Sequence, residues 1–124
     1  MPKTVVVVVE DDPMNRLLAV DALERAGFEV ADFARADDAI SYVERMPESI
    51  AGLLADINVP GERDGIDLAQ TFAARWPDKA VVLTSGLFGP GRPGGLPEGA
   101  DFIAKPWTAK ALIAHMAEVF DSAR

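Results

Sequence analysis

The chain has 124 residues, a formal net charge of −8 and no cysteine, with 49% of its residues apolar. That length suits one domain with a core of its own, and the missing thiols exclude disulfides, zinc–thiolate centres and thiol catalysis. Twenty acidic against twelve basic residues leave no basic stripe for a phosphodiester backbone, so direct nucleic-acid binding is not expected.

The first strand is read at Thr4 to Val9, where five consecutive valines form a β-branched run suited to burial on both faces of a sheet. The run is too short to span a bilayer and lacks the flanks of a signal peptide, so a cytoplasmic, membrane-free protein is expected. Glu10-Asp11-Asp12-Pro13 follows directly. Carboxylates stacked at the end of a buried strand repel one another unless a cation sits among them, and a hard ion such as Mg²⁺ is the simplest remedy. Asp12 is placed as a helix cap with Pro13 at the first helical position, and Met14, Leu17, Leu18 and Ala22 as the buried stripe. Gly27 ends that helix, Val30 to Phe33 is the second strand, and Asp37 to Arg45 is a helix closed by Met46-Pro47.

Leu53, Leu54 and Ala55 make a third strand that ends at Asp56. After a loop from Ile57 to Asp64, a helix from about Gly65 to Trp76 buries Ile66, Ala69, Phe72 and Ala73 before Pro77 stops it. Ala80 to Thr84 is the fourth strand. From Gly86 to Gly99 there are six glycines and three prolines, so the helix that the alternation calls for there is expected to be degenerate or replaced by a loop with at most one helical turn. Asp101 to Ala104 is the fifth strand, followed by Lys105-Pro106 and a last helix capped by Thr108, with Leu112, Met116, Val119 and Phe120 at helical spacing. Strands alternating with helices predict a single α/β domain over residues 1–124, with a parallel sheet covered on both faces.

Glu10, Asp11, Asp56, Ser85 and Lys105 each fall at the carboxyl end of a strand, where open parallel sheets bind their ligands. Three carboxylates, a hydroxyl and an ammonium are what phosphoryl transfer to an aspartate requires: a cation and a lysine to neutralise phosphoryl oxygens, and a carboxylate to attack in line.

Glu10-Asp11-Asp12-Pro13, Asp56 with Pro60-Gly61 four residues on, Asp64-Gly65, a hydroxyl ending the fourth strand, and Lys105-Pro106 together resemble the receiver domain of bacterial two-component response regulators. The resemblance covers essentially the whole chain. It implies a flavodoxin-like doubly wound sheet in the order 2-1-3-4-5 and a signalling protein that is not an enzyme in the ordinary sense. Asp56 would accept a phosphoryl group from the histidine of a sensor kinase or of a histidine phosphotransferase. Glu10, Asp11, Asp56 and the backbone carbonyl of Asn58 would hold Mg²⁺, and Lys105 would pair with the phosphoryl group. Ser85 is favoured as the switch hydroxyl because the small Gly86 follows it, with Thr84 as the alternative, expected on the opposite face of the strand. Phe102 takes the place of the switch aromatic. The loop Pro60 to Gly65 is one residue longer than the commonest form, and the Gly/Pro stretch replaces part of the usual dimerisation face, so a monomer or weak dimer is expected.

With the chain ending just after the last helix at Arg124, the leading expectation is a stand-alone switch that signals by binding an unknown downstream protein. Alternatives are a receiver module of a hybrid kinase, a phosphate sink in a phosphorelay and, less favoured, an aspartyl-phosphate phosphatase, whose second acid two residues after the nucleophile is replaced by Asn58. A flavin or nucleotide binder would need a phosphate-cradling loop where the acids of the first strand stand. Asp64 and Asp67 read as helix-start charges, His115 as a surface or half-buried residue, and Trp76 and Trp107 as packing residues, with Trp107 a further candidate for partner contact.

Overall fold

The structure, a computed structural model, describes residues 5–59, 64–86 and 95–121. Strands β1 (Val5–Val9), β2 (Glu29–Phe33), β3 (Ile50–Asp56), β4 (Ala80–Ser85) and β5 (Asp101–Ala104) form one sheet. Every neighbouring pair is parallel, and the order is β2-β1-β3-β4-β5. Helices α1 (Pro13–Arg25), α2 (Ala36–Arg45), α3 (Gly65–Arg75) and α4 (Ala109–Asp121) cover it, with one 3-10 turn at Pro47–Ser49. This is the doubly wound, flavodoxin-like arrangement expected from the sequence.

The valines of β1 lie on an inner strand between β2 and β3, and Val6 to Val9 are wholly buried. Because side chains alternate across a strand, the run feeds two cores. Val5, Val7 and Val9 join Leu53, Ala55 and Leu83 against α2 and α3, while Val6 and Val8 join Leu54 and Val82 against α1 and α4.

The helix ends follow their sequence signals. Asp12 Oδ1 accepts the Met14 N–H at 3.3 Å, and Thr108 Oγ1 accepts the Ala111 N–H at 3.1 Å. Asp64 and Asp67 form a reciprocal capping box at the start of α3. At the opposite end of the sheet, Lys79 is buried, and its Nζ donates to the carbonyls of Pro47 and Ile50. It ties the 3-10 turn and the amino end of β3 to that of β4.

Two buried stripes differ from expectation. In α1 the buried residues are Ala19, Ala22 and Leu23, whereas Met14 and Leu17 are 71% and 63% exposed. That helix carries apolar residues on every side, so periodicity alone does not select the inward face. In α3 the core is supplied by Gly65, Leu68, Ala69 and Phe72, with Ile66 and Ala73 only half-buried. The strands β3 and β4 also extend beyond the predicted cores, to Ile50 and Ser85. Among the described residues no helix joins β4 to β5: residues 95–99 are turn and irregular backbone, with Gly95 and Gly99 at φ of 85° and 83°. Residues 87–94, most of the Gly/Pro stretch, lie outside the described residues, as do Pro60 to Arg63 of the lengthened loop and the side chain of Phe120.

Gly65 opens α3 directly against the end of β3. A Cβ built on it would stand 2.2 Å from the Asp56 carbonyl oxygen and 2.5 Å from Ile57 Cα, and its N–H donates to the Ile57 carbonyl at 2.8 Å. Alanine is the better helix former by about 1 kcal/mol, so propensity predicts that Gly65→Ala stabilises the chain. Steric contact with backbone that cannot move aside reverses the sign, and a loss of about 1–3 kcal/mol is expected in urea unfolding. An unchanged or higher midpoint would refute this close approach.

Candidate functional site

The carboxyl ends of β1, β3, β4 and β5 bring the expected residues to one edge of the sheet. Register sets the level: Val9 pairs with Ala55, Asp56 with Thr84, and Ser85 with Ala104. Glu10, Asp56 and Lys105 therefore meet although they are far apart in the chain. Lys105 Nζ donates to Glu10 Oε1 at 2.5 Å and to Asp56 Oδ2 at 2.7 Å. Glu10 is 2% exposed and Asp56 7%, so both acids are withdrawn from solvent and held by one ammonium.

The second oxygen of each carboxylate also accepts a hydrogen bond. Glu10 Oε2 accepts the Asp12 N–H at 3.1 Å, and Asp56 Oδ1 accepts the Asn58 N–H at 2.9 Å. Arg16 Nη1 donates to the Glu10 backbone carbonyl at 2.7 Å, while its Nε pairs with Asp32 at 3.3 Å. That guanidinium fixes the turn after β1 to the end of β2. Asn58 is exposed, and its side-chain amide donates to Ser85 Oγ at 3.0 Å. The Lys105 N–H donates to the Ser85 carbonyl at 3.2 Å, and the Lys105–Pro106 peptide is cis.

The two candidate hydroxyls part company. Ser85 faces the site through Asn58, whereas Thr84 Oγ1 accepts the Trp107 indole N–H at 3.1 Å and faces the α1 and α4 side. Phe102 lies on β5 opposite Leu83, half-buried against the α2 and α3 core. It shares the strand face of Ser85.

Asp11 is exposed, yet one oxygen each from Glu10, Asp11 and Asp56 lies within 4.8 Å of the others. An all-oxygen donor set with one open side suits a hard cation that keeps part of its water shell, as Mg²⁺ does. Burial raises the Glu10 carboxyl above its ordinary 4.5, the Lys105 and Asp12 hydrogen bonds oppose that, and the nearby Asp56 adds to it. Burial alone would lower the Lys105 ammonium, but hydrogen bonds to Asp56 and Glu10 outweigh it and hold the group above 10.5. The lysine is thus charged at neutral pH and stands as an internal counter-ion for the acids.

The sequence reading did not find Trp107 or Arg16 as parts of this edge, and it singled out Gly65 only within the Asp64-Gly65 motif, without its close approach to Asp56. For Trp107 a signal existed: Thr84 is a hydroxyl inside an apolar strand and needs a buried donor or acceptor. For Gly65 the signal was a glycine where a helix begins and alanine would serve propensity better.

A family model described as the response regulator receiver domain matches residues 6–117. The chain is 35% identical over 111 residues to the C4-dicarboxylate transport transcriptional regulatory protein DctD of Rhizobium meliloti (strain 1021), covering 87% of this chain and 23% of that protein. It is 35% identical over 82 residues to the response regulator receiver protein CpdR of Brucella abortus (strain 2308), covering 66% of each. The chain therefore spans about a quarter of the first relative's length and just under two thirds of the second's. In fold it is similar to the response regulator receiver domain protein (CheY-like) from Methanospirillum hungatei JF-1, with a TM-score of 0.83 at 24% identity over 98% of this chain and 97% of that one.

Two measurements check the electrostatics. Without the ammonium the acids lose their internal counter-ion, so Lys105→Met is expected to bind Mg²⁺ about tenfold more tightly by calorimetry; equal or weaker binding would show that lysine and cation do not compete. A carboxyl whose folded pKa is raised favours folding below the unfolded value of 4.5 and loses that contribution as pH rises through the folded value. In metal-free urea unfolding, Glu10→Gln should therefore gain stability relative to wild type as pH rises across that window, and a constant difference would contradict the raised pKa.

Proposed function

The chain belongs to the response regulator receiver domain family, and on that footing we propose that Asp56 accepts a phosphoryl group from the phosphohistidine of a sensor kinase or histidine phosphotransferase. The observation that carries this reading is the Lys105 ammonium on Asp56 Oδ2 within a cluster of three convergent carboxylates.

One Asp56 carboxylate oxygen forms the new P–O bond while the P–N bond of the donor breaks, and the imidazole nitrogen leaves with the electron pair. Lys105 pairs with a phosphoryl oxygen and orients the acceptor. Glu10, Asp11, Asp56 and the backbone carbonyl of Asn58 are the residues that would hold Mg²⁺. When bound, that ion supplies charge neutralisation for the phosphoryl oxygens. Ser85 is the proposed switch hydroxyl, exchanging its Asn58 contact for a phosphoryl oxygen. Phe102 then turns inward on packing alone, since phenylalanine has no hydroxyl to bond.

Receiver domains are signalling modules, and we read residues 1–124 as one whose phosphorylation alters binding to a downstream protein. Service as a receiver of a hybrid kinase, or as a phosphate sink, uses the same chemistry. The phosphatase reading gains nothing at position 58, where the side-chain amide is engaged with Ser85 and no acid is present to protonate a leaving group. Among the described residues no helix is long and apolar enough to cross a membrane, and a cytoplasmic location is part of the proposal.

Incubated with Mg²⁺ and a small acyl phosphate, the chain is expected to gain one acid-stable, base-labile phosphoryl group by intact mass, and Asp56→Asn none. Equal modification of that variant would move the acceptor elsewhere.

A further inference from the structure

The turn after β5 is fastened to β4 by more than its backbone. Thr84 is 1% exposed in a strand otherwise made of apolar residues and Ser85. A buried hydroxyl is costly to leave unpaired, and Trp107 Nε1 meets this one at 3.1 Å. The ring that donates this bond also lies beneath the site: Lys105 Nζ stands 5.5 Å from its centroid, inside the range over which an aromatic quadrupole attracts a cation. Residues 105–107 are therefore pinned to β4 twice, by the Lys105 N–H on the Ser85 carbonyl and by the indole on the Thr84 hydroxyl.

From this juxtaposition we infer that Trp107 is a positioning residue that keeps the Lys105 ammonium aligned on Asp56, with Thr84 as the anchor of the indole. The inference rests on the proposed function. A lysine has many rotamers to lose, and an ammonium bounded by carboxylates on one side and an indole on another reaches the transferring phosphoryl group with fewer of them left to freeze. Thr84 thus acquires a task different from that of Ser85, although the two are adjacent. It orients the lysine through the tryptophan and does not touch the phosphoryl group.

The test uses the full chain at saturating Mg²⁺, with initial loading from a small acyl phosphate followed by intact mass and Mg²⁺ affinity measured separately. Trp107→Leu and Thr84→Val should each slow saturated loading about three- to tenfold while Mg²⁺ affinity holds, and Thr84→Ser should restore the wild-type rate. Saturated loading at the wild-type rate in both Trp107→Leu and Thr84→Val overturns the inference while leaving the acceptor role of Asp56 intact. Should Trp107→Leu fail to fold, Thr84→Val decides the matter, because it keeps the indole and nearly the same side-chain shape.

A second arm is independent of phosphorylation. The chain has two tryptophans, so in a Trp76→Phe background the tryptophan emission comes from Trp107 alone, and Lys105→Met should shift it. An unchanged spectrum refutes the contact between ring and ammonium. A wild-type chain that takes up no phosphoryl group overturns the parent reading instead, and the emission arm still decides whether the contact exists.

Discussion

Three carboxylates are forced into a space where a ligand oxygen of each lies within 4.8 Å of the others, and this confinement governs the rest of the molecule's chemistry. Unit charges at such separations repel by roughly 3 kcal/mol per pair at an effective dielectric of about 20. The fold bears that strain because Lys105 divides its ammonium between Glu10 and Asp56. Three acids against one ammonium leave the site with two excess negative charges and an open side at Asp11. A cation arriving there and a phosphoryl group arriving at Asp56 would each change which oxygens the lysine serves.

The sheet supplies the geometry for this balance. Parallel pairing puts every carboxyl end on one edge, and the pairing of β1 with β3 sets Glu10 beside the end of β3. Supporting contacts come from backbone and guanidinium groups: Asn58 N–H on Asp56, Asp12 N–H on Glu10, and Arg16 between the turn after β1 and Asp32. The close seating of α3 on the Asp56 backbone, possible because position 65 lacks a side chain, fixes that residue from the other side. Thr84 and Ser85 occupy neighbouring places on one strand but face different layers, so one hydroxyl serves packing and the other the polar edge.

Much of this was legible in the chain because strand ends announce themselves. Apolar runs that stop at Glu10, Asp56 and Lys105 locate the edge without knowledge of tertiary contacts. The inward face of α1 was not legible, since Leu17, Leu18, Ala19, Val20, Ala22 and Leu23 surround the helix and the neighbours decide which are covered. Nor could sequence spacing assign the lysine to Glu10, 95 residues away, or the indole to a hydroxyl 23 residues earlier. Those pairings depend on strand register, which only the assembled sheet defines.

Lys79 gives the opposite pole of the sheet a property of its own. Its ammonium is buried under the amino ends of β3 and β4, the Lys105 side chain is 15% exposed at the carboxyl ends, and Lys110 stands open on α4. Acylating or methylating reagents accordingly meet one accessible amine and two guarded ones among these three, with a guarded amine at each extremity of the same β-layer. Covalent labelling thereby separates loosening at the base from rearrangement at the rim, with no reporter group added to the protein.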